Sequence, residues 1–215
     1  MMLITVSENK LMLTPGNEVI FPHQTWEDYQ RLLDLRQDQT HPKLYFNSKT
    51  QEIRLMSPLP SHGNRVDTLS DLVKIILGRK EKDWQCFDPI TLKIPYQAGL
   101  EPDTCFYIDN RQAILGKDRI DLTIDPPPDL AIEVDFTSIT DVEAYQCLKI
   151  PELWIYRQES LKIYLLQGDS YQDSEKSRLF PDINIKKILP YYVELGWTQG
   201  ASIALRQFQA LDNFS

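Results

Sequence analysis

At 215 residues, with 42% hydrophobic and 25% charged residues, the chain has the size of one domain and enough apolar matter for a core. A formal net charge of −8 sits badly with general, non-specific DNA binding, which rests on lysine and arginine, and no basic cluster is visible along the sequence. No apolar run approaches the roughly 20 residues that span a bilayer, and the N-terminus is too short and polar for a signal peptide, so a cytoplasmic location is expected.

Residues 1–22 lack clear periodicity and read as an extended arm. Thr25 then looks like a helix cap, with Asp28 in the capping-box position. The helix would run to about Asp38 and bury Trp26, Tyr29, Leu32 and Leu33, with Pro42 blocking its continuation. Lys43 to Asn47 and Glu52 to Met56 read as two strands around a polar turn. Pro58 and Pro60 end the second. Ser61 is placed to cap a long helix from about His62 to Gly78, whose apolar positions Val66, Leu69, Leu72, Val73, Ile76 and Leu77 share one face.

Strand candidates follow at Trp84 to Phe87, Ile90 to Pro95 and Thr104 to Ile108. A polar stretch from Asp109 to Pro128 leads into another at Leu130 to Phe136, with Pro126-Pro127-Pro128 as a stiff approach. A helix is predicted from about Thr140 to Leu148, capped by Ser138 or Thr140. Leu153 to Tyr156 and Leu161 to Leu166 form a hairpin pattern, and two short helices near Lys187 to Leu195 and Ser202 to Leu211 close the chain. Strands interspersed with helices imply an α/β layer with a mixed sheet.

Carboxylates embedded in this strand-like sequence carry the functional signal. Glu101-Pro102-Asp103 runs straight into the apolar Thr-Cys-Phe-Tyr-Ile, and Glu133-Val134-Asp135 closes an apolar run thirty positions after Asp103. Carboxylates in buried strands are costly unless their charge is used. Two that converge can hold a divalent cation such as magnesium, which takes hard oxygen ligands and keeps several waters. Such a metal activates a water and stabilises charge on a phosphate. The alternative for Asp103 and Glu133 is N-capping or a buried salt bridge with an arginine. Zinc fits poorly, because Cys86, Cys105 and Cys147, like His23, His41 and His62, are scattered without ligand spacing. The three cysteines read as buried free thiols.

In order along the chain stand Leu55-Met-Ser-Pro-Leu-Pro-Ser-His62-Gly, Gly99-Leu-Glu-Pro-Asp103, Pro128-Asp-Leu-Ala-Ile-Glu133-Val-Asp135, Ala144-Tyr145 and Leu148-Lys-Ile-Pro-Glu152-Leu-Trp154. This ordered set resembles the restriction-endonuclease-like superfamily, whose signature is Pro-Asp, a gap, then Asp or Glu, any residue, and Lys. More closely, it is similar to an endonuclease family greatly expanded in cyanobacteria and long catalogued as a domain of unknown function. The resemblance implies an α/β three-layer fold, a central mixed β-sheet flanked by helices, over residues 23–215. It also implies an endonuclease acting on DNA, with Asp103, Glu133 and Asp135 as catalytic, metal-binding carboxylates for Mg2+ or Mn2+. A homodimer is the arrangement by which such nucleases cut two strands.

One departure matters: the superfamily's lysine should stand where Asp135 is. An aspartate is able to serve there as a third metal ligand, but it brings no positive charge. Lys93, on a neighbouring strand candidate, is the best substitute, with a solvent-facing strand lysine as the alternative; Lys149 reads as surface. Asp141 and Tyr145 are four apart and share one helical face, which resembles a pair used by some nuclease branches to orient the site; core packing is the alternative for Tyr145. His62 stands where a metal or phosphate contact from the first long helix is expected, against a structural role at a helix start. Glu52 and Glu101 rank below these, and Trp154 and Tyr156 read as core. The missing lysine and the acidic balance also support a second reading, a catalytically degenerate fold that acts as a binding or regulatory module.

Overall fold

The computed structural model describes residues 4–7, 10–37, 39, 41–136 and 139–211. Within the first 22 residues, β1 (Ile4–Ser7) and β2 (Lys10–Leu13) pair as an antiparallel hairpin, and β3 (Asn17–Phe21) joins a larger sheet. Helix α1 (Trp26–Arg36) starts at a complete capping box: Thr25 accepts from the Asp28 backbone, and the Asp28 carboxylate accepts from the Thr25 backbone. Strands β4 (Lys43–Asn47) and β5 (Glu52–Ser57) form the predicted antiparallel pair. With β3, β7 (Leu92–Ile94) and β8 (Ala98–Leu100) they make a five-stranded antiparallel sheet in the order β3-β5-β4-β8-β7. Helix α1 covers one face of it: Tyr29 stacks on Phe46 at 5.8 Å beside Leu44, Ile53 and Leu55. Gly99 on β8 is the point of closest approach, since a Cβ there would stand 2.3 Å from the Tyr29 ring.

Helix α2 (Pro60–Arg79) differs from expectation at both ends. Ser61 lies inside it, and Leu59 is the cap residue, with Pro60 at the first helical position, where its missing N–H costs nothing. Gly78 does not stop the helix, which continues to Arg79. The face predicted for burial is buried: Leu69, Leu72, Val73, Ile76 and Leu77 have no exposed surface, with Val66 at the margin.

The second sheet has six strands in the order β13-β12-β11-β10-β9-β6, namely β6 (Gln85–Phe87), β9 (Thr104–Tyr107), β10 (Leu130–Asp135), β11 (Glu152–Arg157), β12 (Ser160–Gln167) and β13 (Ser170–Ser174). It is mixed: β10 and β11 run parallel and every other pairing is antiparallel. Helices α2, α3 (Ile185–Gln199) and α4 (Ala201–Gln209) pack on one face through Phe106, Leu130, Ile132, Trp154 and Ile163. The opposite face packs Ala131, Leu153 and Ile155 against β7, β8 and the 140s segment. Strand β10 is therefore buried on both sides, which explains its near-continuous apolar sequence. The α/β three-layer fold with a central mixed sheet is observed, with the five-stranded sheet beside it.

One local expectation is corrected. The segment from Thr140 to Leu148 is not an α-helix; only Ala144–Leu148 turns, as a 3-10 helix, and Lys149 ends it in the left-handed region at φ 56°. Ser138 and Asp38 lie outside the described residues. Strands β8 and β13 escape the sequence because one is three residues with a central glycine and the other is a polar edge strand. Among the described residues no helix is long and apolar enough to cross a membrane.

Candidate active site

The chain crosses from the five-stranded to the six-stranded sheet between β8 and β9, and Glu101-Pro102-Asp103 is that crossing. Glu101 is buried and fully engaged. Arg36 donates to its two oxygens at 2.7 and 2.6 Å, the Leu44 backbone at 2.9 Å and the Thr91 hydroxyl at 2.5 Å. This forked, charge-assisted pair anchors the crossing to α1. The Glu101 carbonyl in turn accepts from Lys43 Nζ at 3.1 Å and from the Tyr45 hydroxyl at 3.0 Å.

Those two donors come from one face of β4. Alternation sends Leu44 and Phe46 towards α1 and leaves Lys43, Tyr45 and Asn47 on the other side. There Lys43 forms an ion pair with Asp103 Oδ1, both side chains being 3% exposed. The other Asp103 oxygen lies 3.0 Å from His62 Nε2 and accepts from the Val134 backbone at 2.7 Å. Glu133 follows Ala131 onto the same face of β10. One of its oxygens accepts from the Asp103 backbone at 3.3 Å and the other from the Tyr145 hydroxyl.

Two carboxylates, an ammonium, an imidazole and a phenol thus meet at the seam between the sheets. Burial pushes the Asp103 carboxyl up, but Lys43 and His62 more than offset it and hold it well below the usual carboxylate range. Glu133 goes the other way: burial and the neighbouring Asp103 charge raise it well above its ordinary value, against smaller pulls from Lys43 and Tyr145. Burial lowers Lys43, yet Asp103, with Glu133 and Glu101 behind it, leaves the ammonium raised overall. The seam opens onto a cleft lined by Tyr45, Glu133 and Tyr145, with Glu18, Glu52 and Arg54 at its sides.

Of the residues singled out in the sequence, Asp103, Glu133, His62 and Tyr145 are brought together. Asp135 sits on the same strand face, but its oxygens accept from the Thr140 backbone at 3.0 Å and hydroxyl at 2.6 Å. Burial raises its pKa, with the Thr140 bonds opposing. Among the described residues no group of three or more His, Cys, Asp or Glu side chains is arranged to hold a metal ion. Lys93 is not brought into the cluster. Strand β7 carries it elsewhere; its charge helps the Thr123 hydrogen bonds lower Asp121. Lys149 pairs with Asp169 at 2.5 Å on the surface. Glu52 pairs with Arg54 at 3.3 Å, and Asp141 accepts from Asn47 at 2.9 Å. Trp154 and Tyr156 are core.

Lys43 is the residue that sequence reasoning missed. Its one signal was the polar face of β4, where Lys43, Tyr45 and Asn47 repeat every second position behind an apolar Leu44 and Phe46.

Residues 26–197 match the model of the Uma2 family, described as "Putative restriction endonuclease". Among solved structures, the chain is similar to a "putative nuclease belonging to DUF820" from Anabaena variabilis ATCC 29413. That likeness has a TM-score of 0.51 at 16% identity and covers 79% of this chain and 98% of the other, so it speaks for the fold. Among curated proteins none matches the chain.

Proposed function

We propose that this chain, which belongs to the Uma2 family of restriction-endonuclease-like proteins, hydrolyses phosphodiester bonds of DNA at the seam between its two sheets, with magnesium or manganese as cofactor. The observation that carries the reading is the Lys43 ammonium on Asp103. It supplies, from another strand, the positive charge that Asp135 cannot.

The donor set fits a divalent cation. Asp103 and Glu133 are hard oxygen ligands, adjacent and buried, with one ammonium between two carboxylates. Magnesium is commonly bound by one or two carboxylates plus waters and substrate phosphates, so a third protein ligand is not required, and Asp135 is held nearby by Thr140. When bound, the ion would lower the pKa of a water and neutralise phosphate charge.

The protein's own groups have separate tasks. Asp103 and Glu133 would hold the cation. His62 and the Val134 backbone fix the rotation of the Asp103 carboxylate, and Tyr145 fixes that of Glu133. In this reading Lys43 would donate to the attacking water or to a phosphate oxygen, where a cation stabilises the charge that develops during displacement. The acidic lining at Glu18 and Glu52 works against a long phosphate track through the cleft, which favours the binding-module reading if cleavage fails.

Plasmid and single-stranded DNA incubated with the protein, with manganese and with EDTA, test this. Cutting should require the metal and vanish in Asp103→Asn and Glu133→Gln. Both variants should also lose the rise in melting temperature that bound metal produces by mass action. Cutting that persists in EDTA or in Asp103→Asn would remove the proposed centre. Metal binding without cutting would leave a silent fold that binds.

A further inference from the structure

The two oxygens of Asp103 are engaged unequally. Oδ2 lies 3.0 Å from His62 Nε2 and accepts from the Val134 backbone at 2.7 Å. A carboxylate oxygen has two lone pairs, so this one is full. Oδ1 takes the Lys43 ammonium. A metal ligand drawn from Asp103 is therefore Oδ1, the oxygen that Lys43 holds. Across the seam, one Glu133 oxygen accepts from the Asp103 backbone at 3.3 Å and the other from the Tyr145 hydroxyl, so neither is filled by these bonds.

Two cations on one buried oxygen repel strongly, because a low-dielectric interior screens them poorly. Lys43 and Asp103 are each 3% exposed, which leaves water little part in that screening. One ammonium also balances only one of two ionised carboxylates, whereas a dication balances both. Lys43 has a second anchor: its Nζ donates to the Glu101 carbonyl at 3.1 Å, beside the hydroxyl of Tyr45, a residue that lines the cleft. An ammonium that let go of Asp103 would stay tethered there with a donor released. Resting on the reading of the seam as a metal centre, we propose that Lys43 and the divalent cation use Asp103 Oδ1 in turn, the ammonium being the resident counter-ion that the cation must displace. The displaced positive charge matches the single negative charge of a phosphodiester. In a chain of net charge −8, the seam then becomes receptive to phosphate only after the metal has entered.

The test is metal binding, judged apart from cleavage. Manganese is titrated calorimetrically at pH 8 into metal-stripped wild type, Lys43→Met and Lys43→Gln, the last of which keeps a polar donor without the charge. A nearby charge changes a carboxylate's affinity for a proton by about 10- to 1,000-fold, and another cation meets the same repulsion. Both variants should therefore bind manganese at least about 10-fold more tightly than wild type, with a larger metal-induced rise in melting temperature. A wild-type measurement covers the case of a variant that fails to fold. The nitrogen resonance of the Lys43 ammonium, assigned by its loss in Lys43→Gln, should move when magnesium saturates the protein. Equal or weaker binding in folded variants, or an ammonium resonance unmoved at saturating magnesium, would overturn the shared oxygen even if the wild type cuts DNA. Tighter binding in the variants with no cutting by the wild type would refute only the nuclease reading. No metal binding by any of the three proteins would overturn both.

Discussion

Replacing Lys43 with Met asks what the ammonium does for the two carboxylates. Lys43 and Asp103 are each 3% exposed, so water cannot take over when the amine is removed. Breaking a buried pair by deleting one partner costs about 3–5 kcal/mol. The protein can escape by protonating Asp103, and the cost of doing so is set by pH. From an unfolded value near 3.9, neutralising the group costs about 4 kcal/mol at pH 7 and about 1.5 kcal/mol at pH 5. The signs differ between the proteins. In the wild type the depressed Asp103 gives stability that is present above its unfolded pKa and lost as pH falls through the folded value. In the variant the raised carboxyl is destabilising as pH rises above the unfolded value. The gap between them should therefore widen by about 1.4 kcal/mol per pH unit between pH 5 and 7. At pH 7 it corresponds to a melting temperature lower by roughly 8–16 °C for a chain of this size. Urea unfolding in EDTA at the two pH values measures it directly, with Lys93→Met as the comparison that should stay within about 0.5 kcal/mol of wild type. A loss for Lys43→Met below about 1 kcal/mol, or one that does not change with pH, would refute the idea that Lys43 neutralises the seam.

Tyr145→Phe deletes the hydroxyl that donates to Glu133, leaving a buried carboxylate oxygen without its donor, for about 1–3 kcal/mol. Because that bond opposes the raised pKa of Glu133, manganese binding, which needs the ionised carboxylate, should begin at higher pH in the variant; isothermal titration at a series of pH values would show it. Gly99→Ala places a methyl 2.3 Å from the fully buried Tyr29 ring, and about 1–3 kcal/mol of overpacking cost should appear in thermal unfolding.

Features that speak locally were legible from sequence. The Thr25 and Asp28 pair announced α1, and the apolar run before Glu133 announced a buried strand. Asp103, Glu133, His62 and Tyr145 could be singled out by type and order, and the structure brings them within reach of one another. What stayed hidden depends on distant segments. Lys43 and Asp103 are sixty positions apart, one on β4 and the other at the crossing between the sheets, and a lysine opening a strand reads as solvated until the seam closes over it. Asp135 could not be told from a metal ligand, because its bonds to Thr140 depend on how the chain folds back after β10. That same return takes up residues predicted to form a capped helix, leaving only the turn at Ala144–Leu148.

The seam has a consequence for how such a chain would age. Lys43 reaches from one sheet, Asp103 stands at the crossing, and Glu133 answers from the other sheet, so the groups that would perform chemistry also rivet the two halves together. A lineage that no longer needed cleavage could not discard them cheaply, since each loss would first be felt as a protein that fails to hold its shape. Decay of function should therefore begin at the periphery, while the rivets persist. In this architecture, an intact centre testifies to folding before it testifies to catalysis.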